Sequence, residues 1–487
     1  MYSRYSCCDS EFFTNMKNVI KNLFLLISSI FIFFCGVGFG QILSNRTLEP
    51  LVLQGSELPQ MIGQDPTKIV GFKKVSGRWL QIPVQADEHE LKDIVTPYGA
   101  LAANGAYPPS PSNPKIMFYS DAGTFTGADS NTAFDADDEL VFMLKDAGGV
   151  AWGGRKPKGT RSFPRIRVSV TDPIDGQTGY IYLFVSDGTL LQNADANYVN
   201  YATNLPATAG FPANLSGTNL ENSTVTTAKY GWHFAAEWVS DELRIMSGGA
   251  AGIDILDRHK NFFVNGNCSR HEDAFSAAEN AFATNKNGAI RAIRSVLGAV
   301  SGPLTQRTHL FYEGRQDIYT DLRVHAIGSI YDAFDYNQAA SGATYCNNIN
   351  PNGVIIDGNQ DAVTTGDLNW EAVVGAQGSL VILHSRNGTL TNPDATFNSY
   401  YDDNRLAPAS NCTGDGQAWG TSGVGIVFGS GICTDPLGGS CGTSSTRYRT
   451  LRLQRTMYFL QPNAACSVAP SFLNRSNNAV VARVNEF

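Results

Sequence analysis

The chain has 487 residues, of which 43% are hydrophobic and 16% charged, with a formal net charge of −8. Charge this far below the usual quarter excludes a disordered polyelectrolyte, and the length admits two domains or one large β domain. An acidic balance with no block of Lys or Arg argues against nucleic acid or an anionic membrane surface as a partner.

Lys17 and Lys21 precede an uncharged apolar run over 23–34, and small residues follow at Gly36, Gly38 and Gly40. That order reads as a secretory signal peptide over 1–40, cleaved before Gln41, with Met16 as an alternative start. Two alternatives compete with cleavage. Cys35 suggests a lipoprotein, although Phe33 and Phe34 are bulky for a lipobox, and the uncharged stretch from Asn22 to Arg46 suggests a retained anchor. No later stretch is apolar enough to span a bilayer, so the released chain is not expected to insert in a membrane. The expected location is secreted: extracellular, periplasmic or cell-surface.

Cys268, Cys346, Cys412, Cys433, Cys441 and Cys466 follow the leader. An even number in an exported chain implies three disulfides, and the absence of C-x-x-C disfavours zinc. Spacing does not fix the pairing. Cys268 with Cys346 is the expectation, with the other four linking C-terminal loops.

From Gln41 onward, short apolar runs are broken by Gly, Pro, Asn and Asp. Runs at 68–72, 79–84, 116–119, 140–144, 166–170 and 180–185 read as strands, and Pro83 and Pro164 put theirs at edges or strand starts. A β-sandwich over 41–195 follows from this pattern. Residues 196–226, poor in charge and rich in Asn, Thr, Ala and Gly, read as a linker or long loop. Further runs at 232–246, 289–296, 308–312, 318–330, 354–356, 379–384, 424–428 and 449–460 predict a second sandwich over 227–487, with an Ala-rich helix over 272–284. In 449–460, Leu451, Leu453, Met457 and Phe459 share one face, and Arg452, Gln454, Thr456 and Tyr458 the other. Arg455 interrupts the apolar row and needs a partner if buried. The fold class is therefore all-β, mainly antiparallel, in one or two β-sandwich domains with few short helices.

Two stretches carry chemistry. Between the runs 116–119 and 140–144 lie Asp121, Asp129, Asn131, Asp135, Asp137, Asp138 and Glu139. Oxygen-rich loops of this kind suit Ca²⁺, with Asp129, Asn131, Asp135, Asp137 and Glu139 as the candidate ligands of a structural ion. It is not an EF-hand, because Phe134 occupies the glycine position. The plainer alternative is a solvated acidic turn.

The second stretch is 306–330. If 318–326 is a strand, Tyr319, Asp321, Arg323 and His325 share a face. Arg307, His309, Phe311 and Glu313 form a similar face on the strand before it, and pairing the two would build one surface of Arg, His, Tyr and carboxylate. Such a surface suits an acidic sugar polymer. Arg323 and Arg307 would neutralise a uronate, His325 or Tyr319 would move the proton beside it, His309 would assist, and Asp321 would orient the histidine. The plainer reading is an amphipathic hairpin with a wet, salt-bridged outer face.

The remaining histidines, His89, His233, His259, His271 and His384, show no metal-ligand spacing. Gly438, Ser440 and Gly442 match G-x-S-x-G, but Pro436 before them and the lack of a helical pattern after them exclude a nucleophile elbow. Trp152, Trp232, Trp238, Trp370 and Trp419 are candidates for stacking on sugar rings, against the commoner role in packing. The leading expectation is a secreted, glycan-active protein, most concretely a polysaccharide lyase acting on an acidic extracellular polysaccharide. The rival is a non-catalytic, calcium-stabilised carbohydrate-binding, adhesion or structural surface protein.

Overall fold

In the computed structural model, which describes residues 43–95, 110–124, 126–151, 153, 155–204, 221–235, 239–249, 252–263, 281–298, 304–406, 414–436 and 448–487, the strands pair antiparallel into five sheets. This is the all-β architecture that the alternating apolar runs predict. The signal peptide expected over 1–40 lies outside the described residues.

Strands Ile69–Val75, Arg78–Ile82, Thr160–Thr171 and Thr178–Ser186 form a sheet with the last strand of the chain, Val481–Glu486. That last strand pairs along Thr160–Thr171, with Val484 opposite Val168. The far end of the sequence therefore completes the first sandwich. Pro83 follows the edge strand Arg78–Ile82, and Pro164 falls where the ladder register shifts between Thr160 and Arg165. Neither proline interrupts a regular ladder.

A four-stranded sheet, in the order Pro50–Gln54, Glu139–Met143, Gln85–Asp93, Lys115–Ser120, packs against this one. Leu140 and Phe142 join Ile166, Val168 and Ile181 in the shared core. By the two-residue period of a strand, Glu139, Val141 and Met143 point the other way. There Val141 and Met143 bury against Ile293, Leu310 and Tyr312 of the next sheet. Cover on both faces is why 140–144 is an unbroken apolar run.

The next sheet is the central wall. Its nine strands run Ala281–Lys286, Ala292–Leu297, Gln306–Phe311, Arg315–Leu322, Leu451–Leu460, Gly378–Gly388, Trp370–Gly375, Thr344–Asn347, Val354–Ile355. Two four-stranded sheets cover its other face. One is built from Val199–Ala202, Ser223–Thr227, Tyr230–Phe234 and Ser240–Ile245, the other from Leu256–Phe263, Ser329–Tyr336, Ala395–Asp402 and Trp419–Phe428. Trp232, Phe311, Ile318, Phe334, Met457 and Phe459 meet in one core between them.

Three expectations are corrected. Residues 196–226 are not only loop, because Tyr201 and Val225 pair and are buried in facing strands. Alternating Val199 and Tyr201 fit a half-buried sheet, whatever the surrounding Asn and Ala suggest. Residues 281–284 belong to a strand rather than a helix, with Phe282 buried opposite Val296, while 272–280 lie outside the described residues. Cys346 bonds to Cys466, not Cys268, with Cα atoms 6.3 Å apart. The bond ties strand Thr344–Asn347 to the turn that leads into helix Ala469–Asn477, whose Phe472 packs on Tyr458. Cys433 is also disulfide-bonded, and Cys268, Cys412 and Cys441 lie outside the described residues.

Candidate functional site

Between the Pro50–Gln54 sheet and the central wall lies a cleft of about 560 Å³. Pairing register decides which side chains reach it. Tyr319 stands opposite Thr308 on one neighbour and Gln454 on the other, and Asp321 opposite Gln306 and Arg452. Arg315, Asp317, Tyr319 and Asp321 therefore follow one another along one face at two-residue steps. Arg315 donates from Nε and Nη2 to Asp317, each at 2.9 Å, and Arg452 donates from the same two nitrogens to Asp321 at 2.8 and 2.9 Å. Tyr319 is thus flanked on each side by a two-pronged carboxylate–guanidinium fork. Its hydroxyl accepts from Gln454 Nε2 at 3.5 Å, and burial pushes its phenol well above the usual range, so it keeps its proton.

The opposite wall comes from the first sandwich. His89 pairs with Tyr119, and their ring centroids are 4.2 Å apart. His89 Nδ1 lies 3.0 Å from the Asp137 carbonyl oxygen. A carbonyl only accepts, so Nδ1 carries the hydrogen and Nε2 keeps the lone pair. Burial lowers the His89 pKa, so the ring is neutral at pH 7. Glu139 accepts from the Tyr119 hydroxyl at 3.1 Å, from Gln54 Nε2 at 3.0 Å and from Arg291 Nη2. Arg291 also reaches Asp87 through Nε at 2.8 Å and the Tyr312 hydroxyl through Nη1 at 3.3 Å. Burial works to raise the Asp87 carboxyl, but Lys286, at 2.8 Å, and Arg291 outweigh it and hold that carboxyl well below the usual range.

Two of the six expected catalytic residues, Tyr319 and Asp321, line the cleft. Asp321 orients Arg452 rather than a histidine. Arg323 reaches Asp321 only at 3.9 Å and donates to the Leu304 carbonyl at 3.1 Å. His325 lies beyond the strand end at Leu322 and is exposed. Arg307 stands opposite Thr320 and His309 opposite Ile318, which puts both on the far face of the wall. The single surface expected from 306–330 is therefore split in two, because a one-residue change of register moves a whole row to the other side.

On that far face Arg307 Nη2 donates to Asn261 at 2.9 Å and to Asp332 at 3.2 Å. Asp332 also holds Arg455 at 3.2 Å and His259 at 2.6 Å, which supplies the partner that Arg455 requires. His309 Nδ1 lies 2.9 Å from Gln316 Nε2. Burial keeps both histidines neutral, pushing His259 down to about 3. A second cleft, of about 430 Å³, opens on this side beside Arg455 and His384, whose Nε2 is 2.9 Å from Glu371.

Among the candidate metal ligands, Asn131, Asp135 and Asp137 stay together. Asn131 Nδ2 donates to Asp135 at 2.8 Å. A hydrogen bond with the Asp135 carboxyl, reinforced by burial, pushes Asp137 up to about 6. Asp129 instead accepts from the Asn131 backbone at 3.2 Å. Glu139 is drawn off into the cleft by Arg291, and Phe134 is fully buried in the first core. Among the described residues, no three His, Cys, Asp or Glu side chains converge as a metal site. Trp232, Trp370 and Trp419 are buried, while Trp152, Trp238 and the 438–442 motif lie outside the described residues.

Nothing local in the sequence brings His89, Tyr119, Arg291 and Arg315 to Tyr319. Their meeting depends on sheets assembled from distant segments, and only the place of Arg452 on the Gln454 face is readable from periodicity. No protein-family model and no curated protein matches the chain. Among solved structures, it is similar to an alpha-mannosidase from Enterococcus faecalis V583, at 8% identity and a TM-score of 0.38. The match covers 86% of this chain and 41% of that one, and a likeness so weak carries no argument about fold or activity.

Proposed function

We propose that this is a secreted, glycan-active protein that seats a polysaccharide chain in the cleft around Tyr319. The observation that carries the reading is the row Arg315, Asp317, Tyr319, Asp321 with Arg452, an aromatic platform between two forks that each offer donors and acceptors. Sugar rings present apolar faces and a rim of hydroxyls, which such a row matches. The Cys346–Cys466 disulfide supports an oxidising compartment.

In the catalytic version, His89 is the base. Its Nε2 takes the proton α to a uronate carboxyl, the bond to the β oxygen breaks, and that oxygen receives a proton from Tyr319. The products are an unsaturated uronate and a free hydroxyl. Arg315 or Arg452 stabilises the enolate charge through Nη1. The non-catalytic version is favoured by a separate observation: each of the three cleft guanidiniums already holds a carboxylate. Calcium belongs to the proposal as a structural ion for the loop around Asp135 and Asp137, two carboxylates that share a proton at low pH and repel at high pH.

The test is to incubate residues 41–487 with neutral and acidic polysaccharides and follow chain length and ultraviolet absorbance. Cleavage with rising absorbance, lost in His89→Ala and Tyr319→Phe, supports the lyase. Retention without shortening supports the binding protein, and neither across the panel overturns the glycan reading.

A further inference from the structure

The cleft has the wrong electrostatics for a chain charged at every unit. Its lining carries three guanidiniums, Arg291, Arg315 and Arg452, and four carboxylates, Asp137, Glu139, Asp317 and Asp321. All three cations are matched within the cleft or just behind it. A polyanion would enter a cleft with no excess positive charge to draw it in.

The forks point to a different ligand. In both Arg315 and Arg452, Nε and Nη2 face the carboxylate, and among the described residues Nη1 has no hydrogen-bond partner. Each fork thus combines a donor with spare carboxylate lone pairs and carries no net charge as a pair, although Arg323 also approaches Asp321 at 3.9 Å. A vicinal diol is both donor and acceptor and satisfies such a pair; a carboxylate, which only accepts, satisfies half of it and repels the rest. Asp317 and Asp321 stand two residues either side of Tyr319, about 7 Å at the rise of a strand. One sugar ring on Tyr319 would leave its neighbours over the two forks.

Resting on the glycan reading above, we propose that the cleft binds an extended, unbranched glycan along the Arg315–Leu322 strand. The units flanking Tyr319 are uncharged sugars held through their hydroxyls. A uronate, if the chain contains one, sits at the centre. The ligand class is therefore a neutral or mixed polysaccharide, not a polyuronate.

The experiment measures binding of residues 41–487 to two linear oligosaccharide families of matched length, neutral β-linked hexose oligomers and oligogalacturonates, at low and high NaCl. Neutral oligomers should bind, gain affinity up to about three units, and change less than about twofold with salt, because no counterions are released. Asp321→Asn, at a partly exposed site, frees Arg452 from its carboxylate. It should weaken the neutral oligomers by about tenfold, the scale of one charge-assisted hydrogen bond, and strengthen the oligogalacturonates in a salt-sensitive way. Tyr319→Ala should abolish binding of the neutral family. Salt-sensitive binding of oligogalacturonates alone by the unaltered protein would overturn the inference while leaving the glycan reading standing. Binding of neither family would overturn both.

Discussion

Arg291 Nε donates to Asp87 at 2.8 Å, and neither side chain exceeds 1% exposure. This pair joins the Gln85–Asp93 strand of the first sandwich to the edge of the central wall, and it holds Glu139 and Tyr119 at the back of the cleft. Asp87→Ala removes the buried carboxylate that Arg291 and Lys286 share, leaving Arg291 with Glu139 and Lys286 with Asp121 at 3.8 Å. Losing one partner of a buried ion pair costs roughly 3–5 kcal/mol, so the urea midpoint should fall by a corresponding amount. A midpoint within error of the unaltered protein would show that the pair does not hold the two units together.

His259 makes stability depend on pH. Its pKa falls from the ordinary 6.5 to about 3 on folding, chiefly through burial, so the unfolded chain binds the proton first as pH drops. The stabilisation it contributes is complete above pH 6.5 and is lost progressively towards pH 3, at about 1.4 kcal/mol per pH unit. Asp335, pushed up to about 6 by burial, works in the opposite direction between 3.8 and 6. The difference between proteins isolates the histidine: the unaltered protein should lose stability more steeply than His259→Gln between pH 6 and 4. Parallel curves would mean that His259 is protonated in the native state.

The loop around Asp137 titrates with the opposite sign. Its folded pKa lies near 6 against an ordinary 3.8, so the native state holds the proton more tightly, and stability falls as pH rises from about 4 to 6. Ca²⁺ at millimolar concentration should offset that loss above pH 6 and do nothing below pH 4. Asp137→Asn should remove both the pH step and the calcium effect. A melting temperature indifferent to Ca²⁺ and EDTA at pH 8 would leave the loop as an acidic turn.

Much of the fold is readable from period-two alternation. Leu451, Leu453, Met457 and Phe459 face the covered side as the pattern requires, and Arg455 finds Asp332 and His259 there. The acidic loop and Tyr319 are likewise visible as unusual chemistry. Register is not visible. Nothing local in 306–330 says whether Tyr319 faces Thr308 or His309, because the hairpin turn and the packing on both sides of the wall decide it. Contacts between distant segments are equally hidden: Asp87 and Arg291 are 204 residues apart, and the last strand returns to Thr160–Thr171.

Cys346 and Cys466 close a loop of 120 residues. By the chain-entropy model such a cross-link stabilises by roughly 4–5 kcal/mol. Cys346→Ser with Cys466→Ser should lower the unfolding midpoint accordingly and open the segment around Ala469–Asn477 to protease. Mass mapping under non-reducing conditions that joins Cys346 to any other cysteine would contradict the connectivity.

Whether the glycan lies in the cleft is decided by comparing Tyr319→Ala with His325→Ala for retention and shortening of the same polysaccharide panel. Both residues fall in one short stretch of sequence, but only Tyr319 lies in the cleft. Tyr319→Ala should lose retention and any cleavage, while His325→Ala behaves as the unaltered protein. The reverse pattern, or equal loss in both, would place the glycan site outside the cleft.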